Sequence, residues 1–204
     1  MIETYDIQDY VVTFSDVDHR YTVNGKPVIS VTQLVDALLG RPYKRVDPTI
    51  LEKAALKGTQ LHDMIERYER FDERTIHPEM ATYLSLKKQH QFDVVESEKI
   101  VLIQQFGQVV AAGRFDMVVQ SPFIKGLGIA DVKRSLHLDE TRLKLQLNLY
   151  KLGYEQTYRK KIHYLKCLHI RNRQGEYLDV SVDPEFVVSM LRRYLEKHPF
   201  VLHD

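Results

Sequence analysis

The stretch GRFDMVVQSPFIKGLGIADVKRS, residues 113–135, holds two runs rich in Val and Ile, separated by the turn-forming segment SPFIKG. Each run reads as a strand, and the short connection makes the two antiparallel neighbours. Asp116 falls on the first strand, and Asp131 and Lys133 fall at the inner end of the second. Side chains two apart on a strand face the same way, so Asp131 and Lys133 point into one pocket while Val132 packs behind. Antiparallel pairing brings the carboxylate of Asp116 to the same place.

Outward from this pair the periodicity continues. VVESEKIVLIQ (94–104) supplies a strand before it, so residues 94–135 predict a three-stranded antiparallel meander. LDETRLKLQLNLYKLGYEQTYRK (138–160) follows. Its leucines at 143, 145, 147 and 149 alternate like a strand, but its length and the Leu143, Leu147, Tyr150, Tyr154 spacing predict a helix. IHYLKCLHIR (162–171) and GEYLDVSV (175–182) predict two more strands, and Asp183-Pro184 opens a closing helix. Upstream, VVTF (11–14), RYTV (20–23) and VISV (28–31), with an Asn24-Gly25 turn, predict a small hairpin or meander. Ser30 or Thr32 then caps a helix to Leu39; helices over 49–68 and 78–92 follow. Gly58-Thr59 is expected to start a turn within this region.

Composition fits one domain. The 204 residues are 44% hydrophobic and 28% charged, enough for a single core. The expected organisation is a hairpin and helix over 1–48, a core over 49–171, and a strand and helix over 172–204. No apolar run approaches the roughly 18 residues that span a bilayer. The N-terminal MIETYDIQDY is acidic and polar, unlike a signal peptide, so a cytoplasmic protein without membrane contact is expected. The single cysteine, Cys167, permits neither an internal disulfide nor an iron-sulfur cluster. No G-x-x-x-x-G-K-[ST] occurs, so no nucleotide cofactor is expected.

Net charge is +1, but residues 133–173 hold eleven Lys or Arg against three acids, leaving the remainder acidic. Such a stripe is the footprint of one face meeting phosphates, or of a solvated helix face. Arg134, Arg142, Lys144, Lys151, Lys160 and Lys161 lie in it.

Two carboxylates aimed at one point repel unless a cation joins them. Hard oxygen ligands suit Mg²⁺, and a lysine beside the ion helps position water and offsets phosphate charge. An ion pair at a strand end is the plainer reading of D-x-K alone. Two further pieces bear on it: His62 and Glu66 stand at i and i+4 in GTQLHDMIERY (58–68), and Gln146 and Tyr150 stand one turn apart after the lysine strand.

In this order the pieces resemble the PD-(D/E)XK nuclease superfamily, within it the RecB-like branch that includes phage recombination exonucleases. The motifs are Gly58-Thr59-Gln60-Leu61-His62, Gly113-Arg114-Phe115-Asp116, Asp131-Val132-Lys133 and Gln146-Leu147-Asn148-Leu149-Tyr150. The resemblance covers residues 58–150. It implies an α/β (α+β) restriction-endonuclease-like core of helix, three strands, helix and strand, with a mixed central sheet flanked by helices. It implies a Mg²⁺-dependent deoxyribonuclease of phage or prophage recombination, with Mn²⁺ as a substitute. By the same analogy Asp116, Asp131, the Val132 carbonyl and His62 hold metal, and Lys133 is the catalytic lysine. Gln146 orients the lysine or the attacking water, and Tyr150 contacts DNA or buttresses Gln146. Glu98 is a further candidate acid, and Glu66 either supports His62 or faces solvent. The implied partners are DNA and a single-strand annealing protein or further copies of the chain. An endonuclease of the same superfamily, or a catalytically silent nucleic-acid-binding protein of the same fold, is the alternative.

Overall fold

The computed structural model describes residues 2–43 and 46–199. Four strands open the chain: β1 (Ile2–Ile7), β2 (Tyr10–Ser15), β3 (Arg20–Val23) and β4 (Lys26–Ser30). They form an antiparallel meander. Asn24 and Gly25 both have positive φ, as the tight β3–β4 turn requires. The meander buries Val12, Phe14, Tyr21 and Val23 against Ile100, Leu102 and Ala112. β1 is absent from the sequence expectation.

Ser30 ends β4 and caps α1 (Val31–Leu39) in a capping box with Gln33. The helices α2 (Pro48–Phe71) and α3 (Pro78–His90) follow, each with proline in its first turn. Gly58 and Thr59 lie within α2, so the expected turn there does not form. The remaining elements are β5 (Asp93–Gln105), β6 (Gln108–Ser121), β7 (Ile124–Lys133), α4 (Glu140–Tyr158), β8 (Ile162–Arg171), β9 (Gln174–Val180) and α5 (Pro184–Lys197).

All nine strands join one mixed sheet, ordered β1-β2-β3-β4-β6-β7-β8-β9, with β5 on β6. β5, β6 and β7 are antiparallel; α4 crosses over to β8, which pairs parallel with β7. Helices flank the sheet, giving a mixed α+β architecture. One core packs α1, α4 and α5 against Val101, Ile103, Ile129 and Leu165. A second packs α2 and α3 against Met117, Ala130, Val132 and Leu168. Among the described residues no helix is long and apolar enough to cross a membrane.

α4 resolves the ambiguity of its leucines. Leu143, Leu145, Leu147 and Leu149 are all buried, because α1, α5, β5 and the sheet enclose the helix on several sides. A helix covered all round shows little amphipathic period. Its C-terminal turn also closes the outer edge of β5. Gln156 exchanges hydrogen bonds with the Gln104 backbone at 2.9 and 3.0 Å, Thr157 Oγ1 accepts the Leu102 N–H, and the Tyr158 hydroxyl donates to the Ile100 carbonyl.

Candidate functional site

β6 is the longest strand, and its two edges are treated differently. β5 pairs with it from end to end. On the opposite edge β4 takes Ala111 and Ala112, and β7 begins only at Met117. On that edge residues 113–116, the sequence Gly-Arg-Phe-Asp, therefore face a fork in the sheet and pair with no strand. A crevice where neighbouring strands part company is where α/β proteins place their ligand groups.

The fork is held open by side chains. Gly113 admits α1 and α4: a Cβ there would lie 2.7 Å from Val31 and 2.8 Å from the Tyr150 ring. Past Ala130 the β7 backbone no longer pairs with β6 and instead meets a carboxylate. The Val132 N–H donates to Asp116 Oδ2 at 2.6 Å, while Asp116 Oδ1 lies 3.0 Å from His62 Nδ1 on α2. On β7, the Lys133 ammonium lies 2.5 Å from Asp131 Oδ2. The approach is off hydrogen-bond alignment, so that buried oxygen has a charge partner but no hydrogen-bond donor.

Glu98 completes a row across three successive strands. It lies between Ser97 and Lys99, the residues that pair with Met117 and Phe115, and so stands opposite Asp116. Its φ of 51° marks a local distortion of β5 there. Arg114 Nε contacts Glu98 at 2.8 Å. From α4, Gln146 Nε2 donates to the Tyr150 hydroxyl at 3.2 Å, and the buried Tyr150 ring packs on Phe115. Glu66 lines the same cleft and is paired with Arg70 at 2.5 Å, so it does not support His62. Of the expected candidates, His62, Glu66, Glu98, Asp116 and Tyr150 line one cleft of about 770 Å³, and Asp131, Lys133 and Gln146 are not among its lining residues.

The charges are strongly coupled. Burial disfavours the His62 imidazolium, but the charge and hydrogen bond of Asp116 outweigh it and raise the pKa to about 9. Burial opposes ionisation of Asp116 too, yet His62, Lys133 and the Val132 N–H hold it below the usual carboxylate range. Asp131 behaves oppositely: burial, joined by the Asp116 charge, outweighs Lys133 and pushes it up. Burial also lifts Glu98 to about 8, with Asp116 adding to it. Two carboxylates displaced in opposite directions at one spot are a pattern of sites that handle protons or cations.

The donor set fits a hard divalent cation in kind: carboxylates of Asp116, Asp131 and Glu98, and one imidazole. The Asp131 oxygen that lacks a hydrogen-bond donor is the observation that favours such an ion. Among the described residues, however, no three His, Cys, Asp or Glu side chains already converge on one point. Both Asp116 oxygens are turned to His62 and Val132, and Asp131 to Lys133, so the two protein cations stand where an ion would bring its charge.

The basic stripe is largely paired with acids. Arg134, half-buried, meets both oxygens of the buried Glu79 at 2.9 Å. Arg142 ties Asp36 and the Gly40 carbonyl of α1 to α4. Lys144 pairs with Asp183 at 2.6 Å, Lys151 with Glu155 at 2.6 Å and Lys160 with Glu96 at 2.7 Å, while Lys161 is exposed. Five of these six cations meet acids, four of them distant in sequence, so other elements neutralise much of the positive charge that the count suggests. Sequence reasoning singled out neither Arg114 nor Glu79; Arg114 was legible only as the residue inside Gly-x-x-Asp.

No protein-family model matches the chain, and no curated protein matches it. Among solved structures, the crystal structure of SSO0001 is similar over 83% of this chain and 75% of that one, at 17% identity and a TM-score of 0.45. A likeness this distant carries no argument about fold family or function.

Proposed function

We propose that the protein is a metal-dependent deoxyribonuclease, acting on linear DNA as an exonuclease of phage or prophage recombination or repair. One observation carries the reading: Glu98, Asp116 and Asp131 stand in one row across three adjacent strands beside the fork, with His62 against Asp116 and Lys133 against Asp131. Buried acids of this number are costly unless they hold a cation or balance one another. In this reading Asp116, Asp131, the Val132 carbonyl and His62 would hold Mg²⁺, with Mn²⁺ accepted through the imidazole. The ion supplies Lewis-acid polarisation of a phosphate and a lower pKa for water.

The chain's own groups do the rest. Asp131 keeps Lys133 aimed at the fork, and the ammonium offsets negative charge that grows on the phosphate during attack. Tyr150 fixes Gln146, which orients the attacking water or the lysine. Gly113 lets the tyrosine ring lie close enough for that role. The acidity of the cleft disfavours a protein that only binds nucleic acid, because such a surface repels phosphates unless divalent ions are present.

The test is degradation of end-labelled linear DNA, single- and double-stranded, beside a closed circle, with Mg²⁺, with Mn²⁺ and with chelator. Wild type should remove linear DNA only, and only with metal. Lys133→Ala should lower the rate by about 10²- to 10³-fold with DNA affinity retained. Cutting of the circle would make the enzyme an endonuclease. Binding without cleavage under every metal condition would transfer the chain to the silent nucleic-acid binders.

A further inference from the structure

Arg114 stands on the boundary between two clefts. The larger is the 770 Å³ cleft described above; a second, of about 480 Å³, lies on its other side. Asp16, Glu66, Glu98 and Arg114 line both and form the partition, and Arg70 and Lys99 line the smaller cleft beyond it. Among the described residues that line the larger cleft, Arg114 is the sole arginine or lysine, against six Asp or Glu.

Its guanidinium is firmly held on one side and loosely on the other. Nε meets the half-buried Glu98 at 2.8 Å, and the guanidinium carbon lies 4.5 Å above the Phe14 ring. Nη2 reaches Asp16 Oδ1 only at 3.4 Å, and Asp16 is half exposed at the start of the β2–β3 turn. That distance is long for a charge-assisted bond, whose usual range is about 2.7–2.9 Å. A fixed guanidinium fork with a weakly held carboxylate on its open side exchanges that carboxylate for a phosphate readily, because the phosphate offers a matching pair of oxygens.

On the nuclease reading, we infer that Arg114 binds a backbone phosphate of the DNA strand in place of Asp16, and that the smaller cleft receives the terminal nucleotide beyond it. The volume of that cleft lies within the range that encloses one small ligand; Arg70, paired with Glu66 at 2.5 Å, and Lys99, paired with Glu96 at 3.2 Å, line it beside Glu3. The enzyme then shortens a free end by one or a few nucleotides at each cut. The β2–β3 turn is the piece that yields when the strand enters.

The experiment is steady-state cleavage of end-labelled linear DNA with Mg²⁺ by wild type, Asp16→Asn and Arg114→Lys, with product lengths read on a denaturing gel. Wild type should release mono- or dinucleotides. Asp16→Asn, on an exposed turn that tolerates substitution, should lower KM severalfold with little change in kcat, because the competing carboxylate charge is gone. Arg114→Lys should raise KM by about tenfold, through loss of the bidentate fork. A turn that merely supports the cleft would give the opposite sign for Asp16→Asn. Long oligonucleotide products, an unchanged KM in both variants, or a raised KM for Asp16→Asn would overturn the Arg114 assignment and leave the nuclease reading intact. Absence of wild-type cleavage under every metal condition would overturn the nuclease reading itself.

Discussion

Helices α2 and α4 are both long, and both bring a side chain to the fork, yet they are attached to the sheet by opposite means. α4 has 19 residues, of which Leu143, Leu145, Leu147, Asn148, Leu149, Tyr150, Gly153, Tyr154 and Thr157 are buried. α2 has 24 residues and buries only Leu61 and Ile65; no residue before Leu61 is buried, and Ile50 and Leu56 stand exposed. α4 is held by apolar packing. The layer of α2 and α3 adds buried ions: Glu69 accepts from Tyr83 and Lys87 at 2.7 Å, and Glu79 takes Arg134. One wall of the candidate site is therefore part of the core. The other is an arm that is anchored from Leu61 onward and projects before it.

Truncation should expose this contrast most strongly. Leu147→Ala, in α4, should cost about 3–5 kcal/mol in urea unfolding, as expected for a leucine enclosed on all sides. Leu56→Ala, in the projecting part of α2, should stay within about 0.5 kcal/mol. Equal losses would mean that the first turns of α2 are packed as tightly as α4, and the comparison would fail.

Acid should loosen the ionic layer before the apolar one. Burial works against the Glu79 charge, but the Arg134 hydrogen bond and the Asn172 N–H hold its pKa below the ordinary glutamate value. A depressed carboxyl stabilises the fold fully above its unfolded pKa and loses that contribution as pH falls through the folded one. Wild-type Tm should therefore drop as pH is lowered below about 4. Glu79→Gln should cost about 1–2 kcal/mol at neutral pH, since it leaves the half-buried Arg134 without its counter-charge. The variant should also show a shallower acid slope. An identical slope would place the acid sensitivity elsewhere.

Much of this arrangement was legible in the sequence, for identifiable reasons. Alternation and turn residues located β5, β6 and β7, and spacing by two put Asp131 and Lys133 on one side of β7. Local signals also offered Ser30, with Thr32 as the alternative, as the cap of α1, and found the prolines that open α3 and α5. What sequence could not supply was partnership between distant residues. β1 was missed because Ile2–Ile7 has a half-exposed, polar pattern that only pairing with β2 makes a strand. The fork depends on β4 and β7 sharing one edge of β6, which no local window contains. The neutralisation of much of the basic stripe was hidden for the same reason: its acids at 36, 79, 96 and 183 lie on other elements. Arg114 went unread because its meaning comes from Glu98 and Asp16, strands away.

The smallest expected effect bears on how α4 joins the edge of the sheet rather than its face. The outer edge of β5 offers backbone groups that a strand of another chain would otherwise take, and an unguarded edge is a route to aggregation. Gln156 occupies both groups of Gln104, and Gln8 in turn donates to the Gln156 and Thr157 carbonyls at 2.7 and 2.9 Å. Gln156→Ala removes two hydrogen bonds at a half-exposed site, where water replaces part of what is lost, so stability should fall by only about 1 kcal/mol. Amide exchange should respond more selectively: the Gln104 N–H should exchange faster in the variant, while the amide of Leu102, held by Thr157, keeps its protection. If both amides accelerate together, the last turn of α4 frays as a unit. The tight attachment that distinguishes α4 from α2 would then end before its C-terminus.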